Sequence, residues 1–142
     1  MIHFSPCAWY CFKIPGGEGD WEVSDSPEKT VLIAADGSCS MELIAARKTL
    51  KAEDAEISDL HEEFLREKSV HAVRTVLAAN SYRIQTFISR GVGADQSTWL
   101  VCHAFWANYC VMIRWHSPDS GGGARLQAFY DLVSSIQPLA LD

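Results

Sequence analysis

In the stretch WLVCHAFWANYCVMIRWH, Trp99–His116, two alternating runs are separated only by Ala107-Asn108. A connection this short makes the two strands antiparallel, because a parallel pair needs a crossover of about a dozen residues. With Ala107-Asn108 as a two-residue turn, Leu100, Cys102, Ala104 and Trp106 share a face with Tyr109, Val111, Ile113 and Trp115. That face is apolar throughout and is expected to enter the core. The other face carries Trp99, Val101, His103, Phe105, Cys110, Met112, Arg114 and His116. So apolar a face is rarely left bare in water, so a second layer, a pocket or a partner must cover it. The register carries the whole assignment, since a slip of one residue exchanges the two faces.

The remaining elements fall around this hairpin. Tyr10–Ile14 reads as a first strand ended by Pro15-Gly16-Gly17, with a short strand at Trp21-Glu22-Val23 and a turn at Asp25-Ser26-Pro27. Thr30–Ala35 and Ser40–Lys48 form a hairpin across Asp36-Gly37-Ser38-Cys39, since an Asp-Gly pair between apolar runs is a strong turn signal. From Ala52 to Lys68 the period changes to that of a helix, with Ile57, Leu60, Phe64 and Leu65 on one stripe. Glu53, Asp54 and Glu56 load its first turn with favourable negative charge, and Arg66 and Lys68 stand at its end.

Val70–Ala79 and Tyr82–Arg90 are two more strands about a tight Asn80-Ser81 turn. That turn sets Val73 opposite Ile88, Thr75 opposite Thr86 and Leu77 opposite Ile84. Arg74, Val76, Arg83, Gln85 and Phe87 then lie on the opposite face. Gly91–Ser97 reads as a loop. The SPDSGGG segment after His116 connects to a helix over Arg125–Ile136, with Leu126, Phe129, Tyr130, Val133 and Ile136 at helical spacing and Pro138 just beyond. The expected class is α+β: a central antiparallel sheet of about six strands with helices packed on its faces. The order is strands, helix, four strands, helix.

At 142 residues the chain suits one domain, 1–142, and can bury a core without disulfides or metal. Its net charge of −6, without a basic cluster, argues against nucleic-acid or anionic-membrane surfaces, which need grouped cations. No apolar run reaches the length of a membrane span. The N-terminal stretch lacks a basic leader, so a cytoplasmic location is expected. Five cysteines cannot all pair, and reduced, buried thiols are the expectation.

Two short motifs add a resemblance. Phe12-Lys13-Ile14-Pro15 followed by Trp21 is similar to the aromatic strand, proline and tryptophan that open members of the PsbP-like fold. Ser135-Ile136-Gln137-Pro138 looks like their closing helix end. The gap from Pro15 to Trp21 is longer than the usual pattern. The resemblance, spanning nearly the whole chain, implies an antiparallel sheet between helices. That fold is shared by a photosystem II extrinsic protein, a Ran-binding import factor, bacterial DcrB proteins and several immunity proteins against secreted toxins. It implies a binding or assembly module and transfers no catalytic residue.

The candidate chemistry is sparse. Cys102 and His103 are strand neighbours and point to opposite faces, so they do not act together. His103 and Cys110 are diagonal neighbours, the placement of a dyad that activates a thiolate, although a packed thiol beside a bonded histidine is the commoner arrangement. Cys7 and Cys11 lack a second ligand pair for zinc. His61-Glu62-Glu63 lacks a zincin's second histidine and reads as a solvated helix face. Gly121-Gly122-Gly123 lacks the Lys-Ser/Thr of a phosphate loop and reads as a turn.

Arg114 and His116 beside Trp99 and Phe105 have the residue types of a binding hot spot, and equally Arg114 can carry its charge past an apolar surface. The candidate face is therefore Trp99, His103, Phe105, Cys110, Arg114 and His116, with no catalytic residue, metal or cofactor expected. The expected function is non-enzymatic protein binding by a monomer or homodimer, of immunity or adaptor type, without nucleic-acid or membrane partners. The alternative is a small-ligand site or thiol-dependent enzyme on the same face.

Overall fold

The alternating runs become strands that join into one long sheet. The computed structural model describes residues 1–118 and 125–141, apart from the side chain of Val73. Gly121-Gly122-Gly123 lies outside the described residues. In chain order the elements are β1 (Ile2–Phe4), β2 (Tyr10–Lys13), β3 (Trp21–Asp25), β4 (Lys29–Ala34), β5 (Ser40–Arg47), α1 (Asp54–Glu67), β6 (His71–Ala79), β7 (Gln85–Val92), β8 (Thr98–Trp106), β9 (Tyr109–Ser117), α2 (Leu126–Ser135) and β10 (Gln137–Pro138). Among the described residues the main sheet has seven antiparallel strands in the order β3-β4-β5-β9-β8-β7-β6, more than the expected six or so. The β8–β9 hairpin lies at its centre.

The first strand read from the sequence, Tyr10–Lys13, does not join that sheet. It is the middle of a separate small sheet, β1-β2-β10, which ties both ends of the described chain together. Asp25 of β3 accepts hydrogen bonds from His3 Nε2 of β1 at 3.0 Å and from Thr30 Oγ1 at 2.6 Å, fastening the small sheet to the edge of the large one.

The hairpin register is the one its sequence implies. Leu100 faces Trp115, Cys102 faces Ile113, Ala104 faces Val111 and Trp106 faces Tyr109. Leu100, Cys102, Ala104, Val111, Ile113 and Trp115 are fully buried, and they pack with Leu32, Met41 and Leu43 against Tyr10 and Phe12 of the small sheet and Phe129, Leu132, Val133 and Ile136 of α2 and its end. This is the core face.

The turn between β6 and β7 departs from expectation. It is a five-residue loop, 80–84, and Ala79 pairs with Gln85. Leu77 therefore faces Phe87, not Ile84, and Val76 faces Ile88, so the side chains exchange faces relative to the two-residue reading. Asn80 organises the loop. Its Oδ1 accepts from the N–H groups of Tyr82 and Ile84, while Nδ2 donates to the carbonyls of Val133 and Ile136 at the end of α2. Asparagine favours such local turns because its short side chain imitates backbone. The strand also continues through Val92, absorbing the start of the expected Gly91–Ser97 loop. Gly91 is required there: a Cβ would meet the His71 carbonyl oxygen at 2.5 Å.

Helix α1 lies on the second face, over β7 and β8. It buries Ile57, His61 and Leu65, whereas Leu60 is 43% exposed. The inward stripe is thus Ile57-His61-Leu65, and Leu60 falls outside it. No helix among the described residues is long and apolar enough to cross a membrane.

Candidate functional site

The register of β8 and β9 puts Trp99, His103, Phe105, Cys110, Arg114 and His116 on the second face, and α1 divides them. His103, Phe105 and Cys110 are buried beneath the helix; Trp99 packs at its end against the cluster of Leu65, Val70 and Val101, and half-buried Arg114 and His116 stand on the half it leaves uncovered.

Beneath α1, Phe105 stacks on Phe87 with centroids 5.9 Å apart, and both pack with Ala52, Ile57 and Cys110. His103 pairs with His61, not with Cys110: their Nδ1 atoms are 2.9 Å apart. One ring must donate there and the other accept. His61 Nε2 meets Ser89 Oγ at 2.7 Å, and Ser89 Oγ meets Thr75 Oγ1 at 2.6 Å. The bonds form a chain of four side chains across β6, β7, β8 and α1. If His61 accepts at Nδ1 it donates at Nε2 to Ser89, which donates to Thr75; reversing the first bond reverses the other two.

Burial holds both imidazoles neutral, lowering the pKa of His61 to about 4 and that of His103, which also feels His61, to about 3. Burial pushes the Cys110 thiol up to about 12, with Lys48 opposing only weakly. A nucleophilic cysteine needs the opposite shift, so the diagonal His103–Cys110 placement makes no activated dyad. Cys102 lies wholly in the core, its thiol raised well above the ordinary value by burial and then by Cys110. All five cysteines are free.

His61 was legible only in part. It lies four residues after Ile57 and four before Leu65, the spacing of a buried stripe, but its neighbours Glu62 and Glu63 suggested a solvated face. Ser89 and Thr75 carried no signal, because their meeting depends on the β6–β7 register.

The uncovered half is built differently. Trp99 packs edge-on against His116 at 4.7 Å, and the Arg114 guanidinium lies over the Trp99 ring at 5.6 Å. Trp99 Nε1 donates to Ser97 Oγ at 2.9 Å, which fixes the ring. Arg114 also pairs with Glu42 directly across the strands, and Lys29 Nζ donates to Glu42 at 2.8 Å. Burial works against ionisation of Glu42, but the two cations outweigh it and hold the carboxyl below its usual range.

Beside these charges the face is apolar. Ile33 is 45% and Ile44 37% exposed; Ile33 lies opposite Ser40 and Ile44 opposite Lys29 and half-buried Met112, with the Val31–Glu42 pair between the two isoleucines. Ile33, Ile44, Glu42 and Lys29 belong to this surface as much as Arg114 does. The sequence did not point to them, because nothing in it says that β5 lies next to β9. Among the described residues no three His, Cys, Asp or Glu side chains converge as metal ligands.

No protein-family profile matches the chain, and no curated protein sequence does. Solved structures do. The solution structure of cyanobacterial PsbP (CyanoP) from Synechocystis sp. PCC 6803 superposes with a TM-score of 0.71 over 97% of this chain and 91% of that one, at 10% identity. The fold is PsbP-like. A crystal structure from Bacteroides thetaiotaomicron VPI-5482 superposes with a TM-score of 0.62 at 15% identity, over 98% of this chain. This chain spans 48% of the Bacteroides protein. At such identities the PsbP-like likeness is one of fold alone and assigns no role to any residue.

Proposed function

We infer that the protein is a non-enzymatic binding module whose protein partner docks on the uncovered half of the second face. One observation carries this reading: Ile33 and Ile44 lie exposed on the sheet around a Trp99–Arg114–Glu42–Lys29 cluster. Exposed apolar side chains interleaved with a Trp and an Arg are the residue types that dominate the binding energy of interaction sites. A sheet presents such a patch with little entropy left to lose on binding. The thiol-enzyme alternative loses support from the burial and raised pKa of Cys110. Five free thiols suit the reducing cytoplasm, which we propose as the location.

Capture from the native lysate tests the reading, comparing the wild-type chain with I44E and R114A, whose circular dichroism must match wild type. A specific protein retained by wild type and lost from both variants is the expected result. Capture of no specific protein at any salt concentration, or of the same protein by all three chains, overturns it.

A further inference from the structure

On the core face the cover provided by α2 ends before the β6 edge of the sheet. A groove of about 680 Å3 remains there, lined by Arg74, Val76, Ile88, Arg90, Val92 and Tyr130. Its floor is set by register: Val76 faces Ile88, and Arg74 faces Arg90 directly across the strands. Like charges placed opposite one another destabilise a sheet. Neither guanidinium forms a salt bridge or hydrogen bond among the described residues, although the chain has 18 acidic side chains and a net charge of −6. Elsewhere on this sheet Arg114 and Lys29 share Glu42, and Arg47 lies over the Tyr109 ring.

Two adjacent, uncompensated guanidiniums present forked N–H donors that match the oxygens of one carboxylate or phosphate. Val76, Ile88 and Val92 continue the floor as apolar surface, and Tyr130 of α2 forms the wall. The volume falls within the range of about 300–1,000 Å3 typical of small-molecule sites. A peptide adding itself as a strand along β6 is disfavoured, because the ladder is broken by an irregularity between Ala72 and Arg74. Such bulges blunt sheet edges.

We propose that this groove binds a small amphiphilic anion, an apolar body carrying one carboxylate or phosphate. The oxyanion bridges Arg74 and Arg90, and the body lies along Val76, Ile88 and Val92. The site is on the opposite face of the sheet from the protein-docking surface and does not depend on it.

Titration calorimetry with decanoate and with decyl phosphate tests the proposal, with decanol as a tail-only probe and inorganic phosphate and acetate as head-only probes. Saturable one-to-one binding of either amphiphilic anion is expected, much tighter than decanol or the bare anions. The stronger of the two identifies the head group. R74A and R90A should each weaken binding by about tenfold or more, the loss of a charge-assisted hydrogen-bond pair. Their thermal midpoints should equal or exceed wild type, because each relieves the Arg–Arg repulsion, so weakened binding is not lost folding. The proposal fails if neither anion binds saturably, if decanol binds as well as decanoate, if the arginine variants bind unchanged, or if an acidic peptide binds where decanoate and decyl phosphate do not.

Discussion

His61 and His103 share a single N–H between them in the interior, with no carboxylate among the described residues bonded to either ring to offset a positive charge. Their contribution to stability follows from linkage. In the unfolded chain each histidine titrates near 6.5, and in the folded protein at about 4 and about 3. Below 6.5 the unfolded chain binds more protons than the folded one. The stabilisation is therefore present above that pH and lost as pH falls toward the folded values. By about pH 5 the loss amounts to about 2 kcal/mol for each histidine, or about 4 kcal/mol for the pair. Urea unfolding at neutral pH and near pH 5 should show this drop, and the H61L/H103L double variant should lack most of it. An unfolding midpoint equal at both pH values would refute the assignment. The residues of this chain were only half legible: the strand positions of His103 and Cys110 follow from alternation, but their partners come from α1, whose placement over β7 and β8 is a tertiary fact.

Among the elements, α1 owes its place to packing more than to its ends. Its N-cap Glu53 makes no side-chain capping bond, whereas Ile57, His61 and Leu65 are buried against the sheet. Ile57 touches the cluster that holds Cys110, so the helix acts as the thiol's shield. Ile57→Ala should cost about 3 kcal/mol through the cavity it leaves. It should also speed alkylation of Cys110, which in the native wild type should react far more slowly than a model thiol. Mass-spectrometric mapping of the labelled cysteine reads this directly, and rapid labelling of wild-type Cys110 at neutral pH would contradict the shielding. Hairpins at Asp36-Gly37 and Ala107-Asn108 were visible in sequence because short turns between alternating runs allow one register. The Asn80 loop was not, because its geometry depends on the carbonyls of Val133 in α2 and Ile136 just after it, far along the chain.

For the whole molecule, the small sheet is what closes the fold. β10 pairs with β2, Leu139 N–H donates to the Trp9 carbonyl at 2.8 Å, Trp106 Nε1 donates to the Ala140 carbonyl at 2.7 Å, and Ile136 is fully buried. A stop codon placed after Ser135 should therefore lower stability by about 3 kcal/mol or more, chiefly from the lost burial of Ile136. An unchanged urea midpoint would show that the closing strand is dispensable. The sequence by itself determined the α+β class, the order of elements and the division of the central hairpin into an apolar and a mixed face. Alternation and turn chemistry are local, and they act whatever the rest of the chain does. Only the tertiary structure decided that the mixed face is split, with His103 and Cys110 sealed under α1, Trp99 packed at the helix end, and Arg114 and His116 left beside β5. It also decided that Arg74 stands opposite Arg90. Both outcomes rest on strand neighbours and registers set by distant segments, which no local periodicity encodes.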